Sequence, residues 1–107
     1  MERTEYINEK RRELLLVANS MLVGETNLIE GVRRICILRF AVEDPENEVF
    51  WAIRGIESET DTFPLGSIRT RCSPEYLRSM DDKMQRYLSE AQGDILQACR
   101  EIVKAFS

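Results

Sequence analysis

Between Glu5 and Leu22 the apolar residues Ile7, Leu14, Leu15, Ala18, Met21 and Leu22 recur at three- and four-residue spacings, while Glu9, Lys10, Arg11, Arg12 and Glu13 fill the other faces. That period gathers the apolar set on one side of a helix and predicts an amphipathic first helix. Gly24 suits its end, because glycine accepts the left-handed backbone that closes many helices. Asn27 with Glu30 three residues on has the capping-box arrangement and predicts the start of a second helix. The link is short, which favours antiparallel neighbours, so the stripe Ile29, Val32, Cys36 and Phe40 is expected to face the first helix. From Ile35 to Val42 the chain is apolar and β-branched enough to read as strand as well as helix.

Asp44-Pro45-Glu46-Asn47 has turn chemistry and ends that element. Val49 to Ile53 is a short, continuously apolar run rich in strand formers, and Ile68 to Arg71 is a second candidate strand after Gly66. Together they predict a small hairpin laid against the helices, with Trp51 or Phe50 as its anchor. Ser73-Pro74-Glu75 is the sharpest local signal: a capping hydroxyl, a proline at the first helical position and an acid at the positive end of the helix dipole. Behind it Leu77, Met80, Met84, Leu88, Ala91, Ile95, Cys99, Ile102 and Phe106 make one stripe, flanked by Tyr87 and Ala98. A helix running to Phe106 would be about 50 Å long, more than two shorter helices cover. Either Gly93 marks a bend or the uncovered stripe packs on another molecule, such as a second copy in a homodimer. The expected fold is mainly α, of α+β type: one domain over residues 1–107 with antiparallel helices, a long C-terminal helix and a two-stranded β element between helices two and three.

Composition fits a folded chain, with 43% hydrophobic and 32% charged residues. Leu14 to Ala18, the longest apolar stretch near the start, is too short for a membrane span or a signal-peptide core, so no membrane role and a cytoplasmic location are expected. Cys36, Cys72 and Cys99 are isolated and odd in number, which argues for free thiols in a reducing compartment. Histidine is absent from the sequence. That removes Ser-His and Cys-His nucleophile pairs and the usual zinc ligands. The five glycines are scattered, with no nucleotide loop or dinucleotide fingerprint among them, and no cofactor is implied.

Charge changes the picture more. From Glu43 to Asp61 there are seven acids against Arg54 alone, and this segment accounts for the net charge of −4. Such a surface repels nucleic-acid phosphates and attracts a basic partner. Within it, alternation in an extended chain would put Glu57, Glu59 and Asp61 on one side and Ser58 and Thr60 on the other. Three aligned carboxylates have the oxygen chemistry of a hard divalent cation site. The competing reading is a scaffold loop: Ser58, Thr60 and Asp61 bond nearby backbone amides, Phe63 and Leu65 pin the loop to the core, and Arg69 and Arg71 neutralise the acids.

An amphipathic helix, Glu30-Gly31-Val32-Arg33-Arg34 opening a second, then an apolar strand leading into Ser58-Glu59-Thr60-Asp61 with Pro64 and Gly66: this order resembles a group of small bacterial proteins of uncharacterised activity. The resemblance extends to Ala98-Cys99, and its specific part is Ile56 to Gly66. It departs at Cys72, where a bulky aromatic is expected before the final helix. Several members of the group look like immunity or toxin-associated proteins of bacterial competition systems; the resemblance implies the fold and leans toward such a role, with no established activity to carry over.

Two further classes stand beside that reading: a self-associating helical protein pairing through its last helix, and a divalent-metal enzyme using Glu57, Glu59 and Asp61. The first expectation is a small non-enzymatic protein-binding module. Its acidic edge from Glu43 to Asp61, with the loop of Glu57, Ser58, Glu59, Thr60 and Asp61, would meet a basic protein, with Trp51, Phe50 or Phe63 as the buried anchor.

Overall fold

In a computed structural model, which describes residues 2–107, the chain forms four α-helices joined by turns. The first, α1 (Arg3–Leu22), buries Leu14, Ala18 and Met21. It closes through Gly24, whose φ of 81° is left-handed and whose N–H donates to the Met21 carbonyl at 3.2 Å. Asn27 then caps α2 (Leu28–Ala41), its side-chain oxygen accepting from the N–H groups of Ile29 and Glu30 at 2.9 and 3.1 Å. The two helices run antiparallel, since Arg3 pairs with Glu43 at one end and Arg34 with Glu13 nearer the middle. Gly31 permits their close approach: the Met21 side chain lies where a β-carbon at position 31 would stand.

The stretch Ile35 to Ala41 is helical. Its buried face is Ile29, Val32, Ile35 and Leu38, followed by Val42 beyond the helix end. The second half of the expected stripe therefore moves, from Cys36 and Phe40 to Ile35, Leu38 and Val42. Cys36 turns toward the next helix, its Sγ 3.9 Å from the Ile53 carbonyl, and Phe40 stays 58% exposed.

No strand occurs among the described residues, and the expected β element is replaced by helix. Asn47 bonds the Val49 N–H at 3.0 Å and starts a short 3₁₀ turn, Glu48–Phe50, that leads directly into α3 (Trp51–Thr60). The deciding pattern is Phe50, Ile53, Ile56 and Thr60, all buried, at helical steps that continue past the five-residue apolar run. Phe50 is the anchor, with its ring 5.6 Å from that of Phe106. Trp51 points to solvent. The second candidate strand lies in another 3₁₀ segment, Gly66–Arg71, where Ile68 is exposed.

Ser73 and Pro74 start the last helix as expected, with the Ser73 hydroxyl oxygen accepting from the Tyr76 N–H at 3.1 Å. This α4 (Pro74–Phe106) passes through Gly93 without interruption. Its C-terminal half runs antiparallel to α1 and completes the main core with Ile95, Ala98, Cys99, Ile102 and Phe106. The N-terminal half is covered within the chain: Met80 and Met84 pack with Ile29 and Phe63 in a second, smaller cluster. Arg69 locks that cover in place through a two-pronged pair with Asp81, at 2.8 and 2.7 Å. The excess length of the helix is thus accounted for by the segment after α3. None of the described helices is long and apolar enough to cross a membrane.

Candidate functional site: an acidic groove between α3 and α4

The segment from Glu57 to Gly66 does not form an extended loop. Glu57 to Thr60 complete α3, and a helical step of about 100° per residue turns Glu59 away from Glu57. The three carboxylates do not converge, and among the described residues no group of three acidic or cysteine side chains is placed to hold a metal ion. Thr60 is wholly buried and donates its hydroxyl back to the Ile56 carbonyl at 2.7 Å rather than accepting from a turn amide. Phe63 is buried against Ile29, Met80 and Met84, its ring 6.3 Å from that of Tyr87. Ser58 and Asp61 face solvent.

A residue that sequence reasoning passed over organises this end. The Arg33 guanidinium, reaching across from α2, donates to the carbonyls of Thr60 at 2.9 Å and Phe63 at 2.7 Å. It adds to the Phe63 N–H that already bonds the Thr60 carbonyl at 3.1 Å, and it satisfies the Phe63 carbonyl beyond the helix end. Arg69, expected to neutralise the loop acids, pairs with Asp81 instead and holds that carboxyl below its usual range. Arg71 makes no ion pair among the described residues.

The acids of the segment 43–61 are likewise dispersed. Glu43 pairs with Arg3 and Glu46 with Arg54, while Asp44 accepts from Asn47. Glu57 lies beside Cys36, and burial, aided by that carboxylate, pushes the thiol up to about 12. Burial raises Cys99 to about 11. Both are neutral thiols at physiological pH and therefore poor nucleophiles.

Only Trp51 and Glu59 of the expected site residues share a location. They line a hollow of about 530 Å³ between α3 and the C-terminal half of α4. Its floor is made of small or apolar side chains, Ala52, Gly55 and Ile56 from α3 with Ala91 and Ala98 from α4. Acids edge it: Glu90, Asp94 and Glu101, joined by Gln97, succeed one another at helical steps on one face of α4, and Glu59 stands opposite. The Tyr87 hydroxyl donates to Glu59 at 2.7 Å and bridges the two helices at one end. Burial, with the carboxylates of Glu59 and Asp94 nearby, pushes that phenol up to about 12. At the other end the groove continues past Trp51 into a second hollow, where Lys104 stands with Glu48 and Glu101.

Glu59, Glu90, Asp94 and Glu101 have no ion-pair partner among the described residues. Trp51 is 63% exposed beside them. A tryptophan and four unpaired carboxylates around an alanine- and glycine-lined trough can receive a body that is apolar on one side and cationic at its edges. The α4 acids were legible as a stripe spaced four and seven residues apart. Without knowledge of α3, however, that stripe is one solvated helix face among others.

Comparison of the chain with family models, with curated proteins and with solved structures finds no match.

Proposed function

We propose that this protein is a non-enzymatic binding module that receives a basic surface of another protein in the groove between α3 and α4. The observation that carries this reading is the placement of four carboxylates without ion-pair partners along a groove that has the exposed Trp51 at one end. Paired acids would have to surrender a partner before binding. Glu90, Asp94 and Glu101 lose only hydration, Glu59 keeps its bond from the Tyr87 hydroxyl, and their summed field accelerates encounter with a cationic surface. Trp51 supplies the large amphipathic contact area typical of binding hot spots. In such a role the module masks the basic surface it binds, which is how an immunity protein restrains its partner.

The test is affinity purification from the protein's own cell extract beside the triple variant Glu90→Gln, Asp94→Asn, Glu101→Gln. A basic protein retained at low salt by the parent, eluting as salt rises and missing from the variant, is the expected result. Equal recovery by both proteins, or no partner for either, would overturn the proposal.

A further inference from the structure

The shape of the groove narrows the class of partner, on the footing of the binding role proposed above. We infer that the occupant is an amphipathic α-helix of the partner, its apolar stripe on the groove floor and its Lys or Arg residues against the acidic rims. Three observations converge on this. First, the groove lies between two helices, and no strand edge is present among the described residues. An extended segment laid on Ala52, Ile56, Ala91 and Ala98 would leave backbone N–H and C=O groups unpaired against an apolar floor, whereas a helix satisfies its own. Second, Tyr87 to Glu101 along α4 spans about 21 Å, the length of some four helical turns. The rim acids Glu90, Asp94 and Glu101 follow at rises of about 6 and 10.5 Å, which match basic residues spaced four and seven apart on a facing helix.

The third observation is Gly55. A β-carbon added there meets nothing within 4 Å, and Gly55 is not among the residues with left-handed backbone. Neither packing nor backbone geometry within the chain calls for glycine at this position, and glycine is a poor helix former. In the floor of the groove it leaves room for a second helix to approach closely, as small residues do at helix contacts. A second copy presenting this same face is a poor occupant, because its acidic rim would meet like charge.

Trp51 is the single tryptophan of the chain, so its emission reports occupancy of the groove directly. The probes are synthetic peptides of about 16 residues, long enough to span the groove as helices. One has a leucine and alanine stripe flanked by lysines, a second keeps those lysines but has prolines at central positions, and a third replaces lysine by glutamate; all lack tryptophan and tyrosine. The lysine helix is expected to shift Trp51 emission to the blue and to saturate. The proline peptide should bind at least about tenfold more weakly, because it cannot present the stripe as a helix, and the glutamate peptide should not bind. Gly55→Leu fills open space and should fold with an unchanged or higher melting temperature while weakening the lysine helix at least about tenfold.

Equal binding of the helical and proline-broken lysine peptides, no effect of Gly55→Leu, or no saturable change would each overturn the helix inference. The first leaves the acidic binding role standing if the triple variant with neutral amides abolishes both. Binding of the lysine helix undiminished in that triple variant would sink both together.

Discussion

The two halves of α4 are packed by different means. From Ile95 to Phe106 the helix lies against α1, α2 and the turn before α3, in a core that also contains Leu14, Met21, Ile35 and Phe50. From Pro74 to Met84 its cover is an irregular segment, and the buried set reduces to Ile29, Phe63, Met80 and Met84. Four helical elements share one side of the first core. The second depends on a strap from Phe63 to Arg71 held by Arg33 and Arg69. Apolar burial on this scale is what resists opening, so the strap and the first turns of α4 form a unit that opens before the bundle does.

The largest expected effect is at Phe50, wholly buried in the main core. Phe50→Ala should lower the unfolding free energy by about 4 kcal/mol, read by urea denaturation, and should speed amide exchange throughout the bundle. Met84→Ala, in the small cluster, should cost about 2 kcal/mol at most and raise exchange chiefly between residues 61 and 84. Uniform acceleration in both variants would mean that the two cores open as one. Arg33→Met keeps the aliphatic stem but removes both carbonyl contacts, and a loss of about 1–2 kcal/mol confined to the strap is expected. Gly93→Ala adds a methyl group where nothing lies within 4 Å and should raise stability by about 0.5–1 kcal/mol, seen as a higher melting temperature.

Acid provides the finest comparison. Arg34 and Lys10 hold Glu13 below its ordinary value, and Arg69 does the same for Asp81. Because these groups titrate lower when folded, the unfolded chain takes up protons first as pH falls. Their stabilisation is complete above about pH 5 and is lost as pH drops below about 4 through the folded values. Both are partly exposed, so the effect on the urea midpoint should be small. Asp81→Asn should remove the part of it that belongs to the strap while leaving the α1–α2 part in place.

The parts of the fold written in local signals were readable from the sequence. Asn27 and Ser73 each cap a helix with their own side chain, and Gly24 closes α1, all within a few residues. α3 was hidden because its last buried position is a threonine and because Ile53, with Phe50 just before the helix, sits in a continuously apolar run that reads as strand. Position 60 is tolerated in the interior only because its hydroxyl bonds the Ile56 carbonyl. Arg33 shows the other limit: its partners lie 27 and 30 positions away, and nothing near it in sequence announces them. With α3 read as a hairpin, Glu59 and the α4 acids fell into separate regions, and the groove between them had no second wall.

Met21 and Cys99, whose sulfur atoms lie 3.8 Å apart, are 78 positions apart in the chain, and the Arg11 guanidinium meets the Phe106 carbonyl across 95. The order of synthesis therefore matters. At about 5–20 residues per second a ribosome takes roughly 4 to 16 seconds to move from Met21 to Cys99. During that interval the apolar side of α1 has α2 for company but lacks the helix that seals it. The nascent chain is a sticky helical hairpin until its last turns emerge, and the cell's chaperones have those seconds in which to hold it.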